Sequence, residues 1–285
     1  MDSQKINVAI LGSGVMATGI LQVMSCAEVV SQVAIIARNS SSSKKCIERC
    51  YAQLQRLVDK GRLSNEALNS AKEKIKEASL VDVGSYDFVI EAVSEEFKVK
   101  ESILSAINPH LTDKTIVASN TSSISITALG GLLTKPENIV GLHFFNPAPL
   151  MKLVEVVPGY QTSDTTLEKS KQLVESIQKE PVTVNDSPGF IVNRMVIPMI
   201  NEAVCILASG NASREAIDSA MKLGAHHPMG PLELSDLIGN DVTLSIMDTL
   251  FSETQDSKYR AHPLLRKMVR AGYVGRKVSK GFYYY

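Results

Sequence analysis

Residues 6–19 of this 285-residue chain read INVAILGSGVMATG, and they carry the pattern most indicative of its fold class. A short apolar run, INVAIL, leads through a glycine-rich turn into a helical pattern. Gly12 permits a tight turn and Gly14 lets a pyrophosphate approach the backbone, while Ala17 is small enough for the helix to pack closely on the strand. The N-terminus of that helix offers unpaired N–H groups to phosphates. Strand, turn and helix in this order predict a dinucleotide-binding unit.

Six further apolar runs follow, and helical patterns separate most of them. The runs are residues 33–37, 88–93, 115–119, 138–145, 152–157 and 181–184, and the helical stretches include 15–27, 44–60, 64–76 and 165–178. Most runs are rich in Val and Ile and lack strict polar alternation, which is typical of strands covered on both faces. The repetition predicts an α/β fold with a Rossmann-type, doubly wound, mainly parallel sheet.

A turn-rich cluster, NDSPG at residues 185–189, interrupts this alternation. Clusters of Asn, Asp, Ser, Pro and Gly mark loops. Beyond it only the last few residues suggest a strand, and helical patterns cover residues 191–209, 214–223, 231–236 and 241–251. We therefore expect a dinucleotide-binding domain over residues 1–186 and an all-α domain over residues 187–285.

The composition excludes several classes of protein. Thirty basic and 30 acidic side chains leave no net charge, so nucleic acid is not an expected partner. The most apolar long stretch, residues 190–208, carries two Asn, an Arg and a Glu, which are costly in lipid, so no membrane span is expected. The N-terminal stretch MDSQKINVAILGSG lacks the features of a secretion signal, and four scattered cysteines suggest no disulfide framework or metal site. These features predict free thiols in a reducing, cytoplasmic setting.

The end of the second strand bears on the choice of coenzyme. An Asp or Glu is expected there when a dinucleotide fold holds an adenosine ribose 2′-hydroxyl. The sequence reads Ala37-Arg38-Asn39-Ser40, with no acid before Glu48. A basic residue with small polar neighbours suits a 2′-phosphate, so Arg38 favours NADP over NAD. Alternatively, Arg38 is a solvated charge and either coenzyme is used.

Two polar residues stand out within apolar runs. His143 falls at the carboxyl end of NIVGLHFF, the edge where open α/β sheets bind ligands. Glu155 lies inside KLVEVV, where an uncompensated carboxylate would cost on the order of several kcal/mol. The short connection between the two runs could bring the residues together, and Glu155 would then fix the tautomer of the imidazole. This pairing favours His143 as a general base over a core histidine.

Further polar residues lie where a ligand could reach them. Ser122 follows the strand TIVAS, where it could contact coenzyme or substrate or simply belong to a helix N-cap. Asn193 lies near the start of an apolar helix and could bind a substrate carbonyl or pack between helices. Glu95 and Lys100, after FVIEAV, would by themselves be an ordinary solvated helix face.

Several strings together resemble the L-3-hydroxyacyl-CoA dehydrogenase family, in its short, single-function form. They are, in order, GSGVMATG, EAVSEEFKVK, SNTSS, HFFNPAPLMKLVEVV, DSPGFIVNR, MKLGAHHPMGPLEL and the closing GRKVSKGFYYY. The resemblance spans nearly the whole chain. It implies reversible hydride transfer between a nicotinamide coenzyme and carbon 3 of a short-chain 3-hydroxyacyl-CoA such as 3-hydroxybutyryl-CoA.

By the same resemblance, His143 corresponds to the general base, Glu155 to the carboxylate that orients it, and Ser122 and Asn193 to groups that bind substrate oxygens. The residues that match coenzyme positions are Glu95, Lys100, Asn120 and Asn146. The family also implies a homodimer formed through the helical domain. Two departures are Ala17 in place of a third glycine and the missing acid beside Ala37, which puts the family's usual NAD in doubt.

Two alternatives remain open from the sequence. One is an NADP-linked dehydrogenase that acts on a free hydroxy acid, because related enzymes share the nucleotide domain and a similar catalytic pair. The other is a non-catalytic dinucleotide-binding protein of the same fold. The preferred acyl length and the residues that contact CoA are not readable from the sequence.

Overall fold

The run INVAIL forms the first strand of an eight-stranded sheet in the computed structural model, which describes residues 5–285. The first four residues, part of the stretch without features of a secretion signal, lie outside the described residues. The strands are β1 (Ile6–Leu11), β2 (Val30–Ile36), β3 (Ile75–Glu77), β4 (Phe88–Glu91), β5 (Ile116–Ser119), β6 (Ile139–Phe144), β7 (Leu153–Pro158) and β8 (Glu180–Thr183). Their order across the sheet is β3-β2-β1-β4-β5-β6-β7-β8.

All neighbouring strands pair in parallel except β6 and β7, which are antiparallel. The helices that accompany the sheet are α1 (Val15–Cys26), α2 (Ser40–Asp59), α3 (Asn65–Lys74), α4 (Phe97–Ile107), α5 (Ile126–Gly130) and α6 (Asp164–Ser176). The chain reverses its direction across the sheet after β3, because β4 lies on the other side of β1. The predicted doubly wound, mainly parallel sheet is confirmed.

Two local differences from the sequence prediction have simple causes. Helix α2 begins at Ser40 rather than Lys44, because the side chain of Asn39 caps it by accepting a hydrogen bond from Ser42 N at 2.9 Å. Strand β3 was not predicted, and the pattern assigned to one helix over residues 64–76 instead ends at Lys74 and continues as β3. A strand of three residues with two charges carries too little pattern to be recognised.

The core of the sheet lies where β1, α1 and α2 pack together. The fully buried side chains there include Val8 and Ile10 of β1 and Ile20 and Leu21 of α1. A sheet with both faces covered by helices requires such apolar side chains. One face of α2 adds its own buried side chains, Cys46, Cys50 and Leu54, spaced four residues apart. The cysteine pair that could have indicated a metal site is therefore part of the hydrophobic core.

The chain divides into two compact units, and the division falls between Asp186 and Ser187. Asp186 ends the first unit and fixes the start of α5. Its carboxylate accepts hydrogen bonds from Ser125 Oγ, Ile126 N and Thr127 N at 2.8–3.1 Å. A carboxylate that satisfies the free N–H groups of a helix N-terminus stabilises that helix.

The second unit consists of α7 (Val192–Ala208), α8 (Arg214–Gly224), α9 (Pro231–Ile238), α10 (Asn240–Thr254) and α11 (Pro263–Arg270). The predicted all-α character is confirmed. The pattern for α11 was missed, although Pro263 at its first position and the capping His262 are helix-start signals. Nowhere in residues 5–285 is there a helix long and apolar enough to span a membrane.

Two buried aspartates fasten the C-terminal segment to this unit. Asp236 accepts hydrogen bonds from Phe282 N, Tyr283 N and Asn240 Nδ2, at 2.8–2.9 Å. Asp218 accepts one from the hydroxyl of Tyr283 at 2.9 Å. Buried carboxylates are tolerated when donors surround them in this way, so the terminal residues are an integral part of the unit.

Candidate active site

The glycine-rich turn joins β1 to α1 with its backbone open for a ligand. Gly12 has a φ of +122°, and a Cβ there would lie 2.5 Å from the carbonyl oxygen of Ala92, so only glycine fits. At Gly14, which precedes the first turn of α1, an added Cβ would meet no atom within 4 Å. Ala17 is fully buried. A tight turn, an open backbone at a helix N-terminus and a small packed residue fit a pyrophosphate.

Arg49 of α2 also reaches this turn and was not among the predicted site residues. Its Nη2 donates to the carbonyl oxygen of Ser13 and lies 3.4 Å from Thr18 Oγ1. The guanidinium therefore bridges α2 and the turn between β1 and α1. Arg49 looks like any solvated charge on an amphipathic helix in the sequence, and no local pattern could have identified it.

The end of β2 is an exposed polar corner. Arg38, Asn39 and Ser40 are all exposed, and no carboxylate lies among residues 37–47. The Asn39 side chain is engaged as the cap of α2, so its amide oxygen faces the helix N-terminus. This corner offers a cation, hydroxyl groups and helix N–H groups, which are the groups that bind phosphate.

His143 and Glu155 lie side by side on β6 and β7. The two residues are direct partners in the antiparallel register, and His143 Nδ1 lies 2.7 Å from Glu155 Oε2. Both are buried, with 5% and 1% of their surface exposed. A carboxylate on Nδ1 keeps the proton on that nitrogen and leaves Nε2 as the acceptor. The ring of Phe145 lies against the imidazole with 4.3 Å between centroids.

Glu95 organises the loop that follows β5. Its Oε1 accepts hydrogen bonds from Thr121 Oγ1 and from the backbone nitrogen and hydroxyl of both Ser122 and Ser123, at 2.7–3.1 Å. Burial acts to raise the pKa of Glu95, but the charge of Lys100 and these hydrogen bonds outweigh it, so the pKa is lowered from 4.5. Glu95 therefore holds the loop as an ionised carboxylate.

Lys100 is buried, with 1% of its surface exposed, so it is not part of a solvated helix face. Its Nζ lies 2.8 and 2.9 Å from the two carboxylate oxygens of Glu91 and 3.2 Å from Glu95 Oε2. Glu91, the last residue of β4, is fully buried and was not among the predicted site residues. A carboxylate inside an apolar run, here FVIEAV, is the same signal that identified Glu155.

The remaining predicted residues divide between the two units. Asn120 Oδ1 accepts a hydrogen bond from Phe144 N at 2.9 Å, which ties the end of β5 to the strand that carries His143. Asn146 is exposed in the connection from β6 to β7. Asn193 is half-buried in the first turn of α7, in the second unit.

Lys179 holds the connection between β6 and β7 in place. Its Nζ donates to the carbonyl oxygens of Ala148 and Met151 at 2.7 and 2.6 Å. The same connection packs on α1, since a Cβ at Gly19 would lie 3.1 Å from the Cβ of Ala148. The loop beside His143 is thus tied to the helix of the glycine-rich turn.

Within the described part of the chain, no group of three or more His, Cys, Asp and Glu side chains is arranged to hold a metal ion. The ionisable groups gathered at the carboxyl ends of β4 and β6 and in the amino-terminal half of the antiparallel β7 instead form two sets, a histidine–glutamate pair and a lysine between two glutamates. The first set can move a proton, because the carboxylate of Glu155 holds Nδ1 while an imidazole can take or give a proton at Nε2.

Comparison with known proteins gives matches over the whole length. Residues 7–187 match the family model described as 3-hydroxyacyl-CoA dehydrogenase, NAD binding domain, and residues 189–285 match that of the C-terminal domain. A 3-hydroxybutyryl-CoA dehydrogenase of Clostridioides difficile is 45% identical over 282 residues, which is 98% of this chain and 99% of that protein.

Solved structures agree with these matches. The crystal structure of (S)-3-hydroxybutyryl-CoA dehydrogenase PaaH1 from Ralstonia eutropha has a TM-score of 0.94 and 43% identity, covering 99% of each chain. That of M. tuberculosis FadB2 has a TM-score of 0.95 and 34% identity over 100% of each chain.

Proposed function

We propose, because this chain belongs to the 3-hydroxyacyl-CoA dehydrogenase family, that its substrate is a short-chain 3-hydroxyacyl-CoA such as 3-hydroxybutyryl-CoA. Membership makes the chain an oxidoreductase that uses a nicotinamide coenzyme. The substrate class rests on similarity to proteins named 3-hydroxybutyryl-CoA dehydrogenase along the whole chain. The observation that carries the catalytic part of the proposal is the 2.7 Å contact between His143 and Glu155.

His143 is the general base in this proposal. During oxidation its Nε2 takes the proton from the 3-hydroxyl group, and during reduction the imidazolium returns a proton to the oxygen on carbon 3. Glu155 holds Nδ1–H and stabilises the charge that the imidazole gains. When bound, the nicotinamide supplies the acceptor or donor of the hydride. The burial of both side chains limits competing proton exchange with water.

The loop that Glu95 holds carries a further candidate for binding, Ser122. Ser122 donates its hydroxyl hydrogen to Glu95 in the contact at 3.0 Å, and a hydroxyl oxygen in this arrangement acts as an acceptor toward other groups. We assign Ser122 to binding of a substrate oxygen or of the nicotinamide amide. Asn193 of the second unit keeps the role that the resemblance implies, a hydrogen bond to a substrate oxygen.

For the coenzyme, we assign the pyrophosphate to the open backbone at Gly12 and Gly14. Glu95, Asn120 and Asn146 are proposed to line the nicotinamide half, which belongs to the carboxyl ends of β4 to β6 in a doubly wound sheet. The buried Lys100 acts on the coenzyme through Glu95, since its ammonium is held by two carboxylates.

We further propose that NADP is preferred over NAD. The carboxylate that would accept a ribose 2′-hydroxyl, and repel a 2′-phosphate, is absent from residues 37–47. Exposed Arg38 and the capped N-terminus of α2 offer positive potential at that corner.

The first unit binds the dinucleotide in this proposal, and the helical unit from residue 187 shapes the acyl-CoA pocket and forms a homodimer. A cytoplasmic location is proposed from the four cysteines, which are all free thiols.

The test is the rate of reduction of acetoacetyl-CoA by NADPH and by NADH, compared with that of free acetoacetate. We expect turnover of the thioester, with a higher kcat/KM for NADPH. Preferred turnover of the free acid would instead identify a hydroxy-acid dehydrogenase. Coenzyme binding without turnover of any 3-oxoacyl thioester would identify a non-catalytic protein.

A further inference from the structure

Three charged side chains form a cluster at the carboxyl ends of β4 and β5. Lys100 lies between Glu91 and Glu95, with contacts of 2.8 Å and 3.2 Å to their carboxylates. Glu91 also accepts hydrogen bonds from Ser119 Oγ at 2.6 Å and from Val93 N at 2.8 Å. Two carboxylates and one ammonium give this Glu91–Lys100–Glu95 cluster a formal charge of −1.

The stability of the fold does not by itself account for Glu91, the innermost member of the cluster. Glu91 is fully buried and Lys100 is 1% exposed. A buried ion pair is weak evidence for stability, because apolar residues of similar volume often serve the fold equally well. The excess carboxylate of the cluster is a further cost, and it is retained beside the loop that carries Ser122.

The position of the cluster in the sheet indicates what its charge acts on. The half of a doubly wound sheet beyond β1 holds the nicotinamide nucleotide, and the carboxyl ends of β4 and β5 belong to that half. The surroundings of Glu91 are buried, so its field is weakly screened by solvent. The oxidised nicotinamide ring carries a positive charge and the reduced ring does not.

We propose that the charge of the Glu91–Lys100–Glu95 cluster shifts binding toward the oxidised coenzyme relative to the reduced one, and that Glu91 sets this preference through its charge without contacting the coenzyme. The inference rests on the proposed function. Preferential binding of the oxidised form shifts the equilibrium of the bound reactants toward oxidised coenzyme and 3-hydroxyacyl-CoA. Glu91 thereby favours reduction of the 3-oxoacyl group on the enzyme.

The size of the effect follows from electrostatics. A unit charge that acts over roughly 10 Å, at an effective dielectric constant near 20, changes an affinity by about tenfold. An exposed charge at the same distance is screened by water and ions and has a smaller effect. The preference therefore depends on burial as well as on charge.

The experiment replaces Glu91 by Gln, which keeps the shape and removes the charge. Dissociation constants of wild type and Glu91→Gln for NADP+, NADPH, NAD+ and NADH are measured by calorimetry and nucleotide fluorescence. We expect the ratio of the constants, oxidised over reduced, to rise about tenfold in the variant. This ratio is measured without turnover.

Two controls separate charge from structure. Ser119→Ala removes the 2.6 Å hydrogen bond to Glu91 but no charge, so the ratio should remain that of wild type. Glu96→Gln removes an exposed carboxylate close by and should change the ratio little. If Glu91→Gln does not fold, Glu95→Gln removes the same charge at a side chain 38% exposed and should raise the ratio in the same direction.

Equal weakening of both redox forms in the folded variant would show a structural role and overturn the inference, while leaving the proposed function intact. A wild-type protein that binds no nicotinamide coenzyme would overturn the proposed function and this inference with it.

Discussion

His143 and Glu155 face each other across the antiparallel β6–β7 pair, with 2.7 Å between Nδ1 and Oε2. Directly opposed residues of an antiparallel pair project to the same face of the sheet. The reversal of β7 is therefore what aligns the carboxylate with the imidazole, and Lys179 fixes the connection that makes the reversal. The contact between the imidazole and the carboxylate therefore results from strand register.

Replacement of His143 by Gln should lower kcat by about 10² to 10⁴, because a positioned general base contributes that factor. The amide can still donate to Glu155, so the fold should persist. Steady-state kinetics with acetoacetyl-CoA measure the loss, and coenzyme affinity measured by fluorescence should change little. A kcat near that of wild type would exclude His143 as the base.

Replacement of Asn39 by Asp should lower the affinity for NADPH about tenfold and spare NADH. Asp caps a helix as well as Asn does, so α2 keeps its start while the corner gains a negative charge beside the proposed 2′-phosphate. The ratio of kcat/KM values for the two coenzymes measures the change. As a control, Glu28→Gln alters a residue before β2 and should leave the ratio unchanged. An unaltered ratio in Asn39→Asp would argue against a 2′-phosphate site there.

The Glu95 carboxylate should make the stability of the protein depend on pH in acid. Its pKa is lowered from 4.5 in the folded state, so its contribution is fully present above that value and is lost as the pH falls through the folded pKa. Urea unfolding of wild type and Glu95→Gln from pH 6 to pH 3 measures this difference. The excess in the free energy of unfolding of wild type over Glu95→Gln should decrease as the pH falls. A constant excess would mean that Glu95 holds its loop without its charge.

The thiol of Cys50 should be unreactive in the native protein. Burial is the main cause that raises its pKa to about 12, and the neighbouring thiols of Cys46 and Cys26 add to it. Because Cys46 is buried as well, at most two of the four cysteines should react with a thiol reagent at pH 8 before unfolding, and all four should react in denaturant. Rapid modification of a Cys26→Ser, Cys205→Ser double variant would contradict this.

Loss of the Asp236 carboxylate should destabilise the helical unit by about 2–5 kcal/mol, because it leaves the buried N–H groups of Phe282 and Tyr283 without their acceptor. Thermal unfolding of Asp236→Ala measures the effect. The matched control is Asp248→Ala, which removes a carboxylate that is 45% exposed and paired with Arg266 and should cost under about 1 kcal/mol. A similar loss of stability in both variants would indicate that the burial of Asp236 does not increase its contribution to stability.

Much of this molecule is determined within short windows of sequence. The turn at Gly12 and Gly14, the Val- and Ile-rich strands and the cluster NDSPG act through local backbone preference and hydrophobic pattern, and these are readable without coordinates. The pairing of His143 with Glu155 was foreseeable too, because one short connection separates their strands.

Contacts between residues that are distant in sequence follow only from the packing of the whole fold. Arg49 reaches Ser13 across 36 residues because α2 packs beside α1. Glu91 meets Ser119 across 28 residues because β4 pairs with β5. The same packing buries Lys100, which its sequence neighbourhood presents as a solvated charge. Local sequence sets the period and ends of each element, whereas contacts between elements depend on how all of them pack. The Glu91–Lys100–Glu95 cluster arises from such contacts.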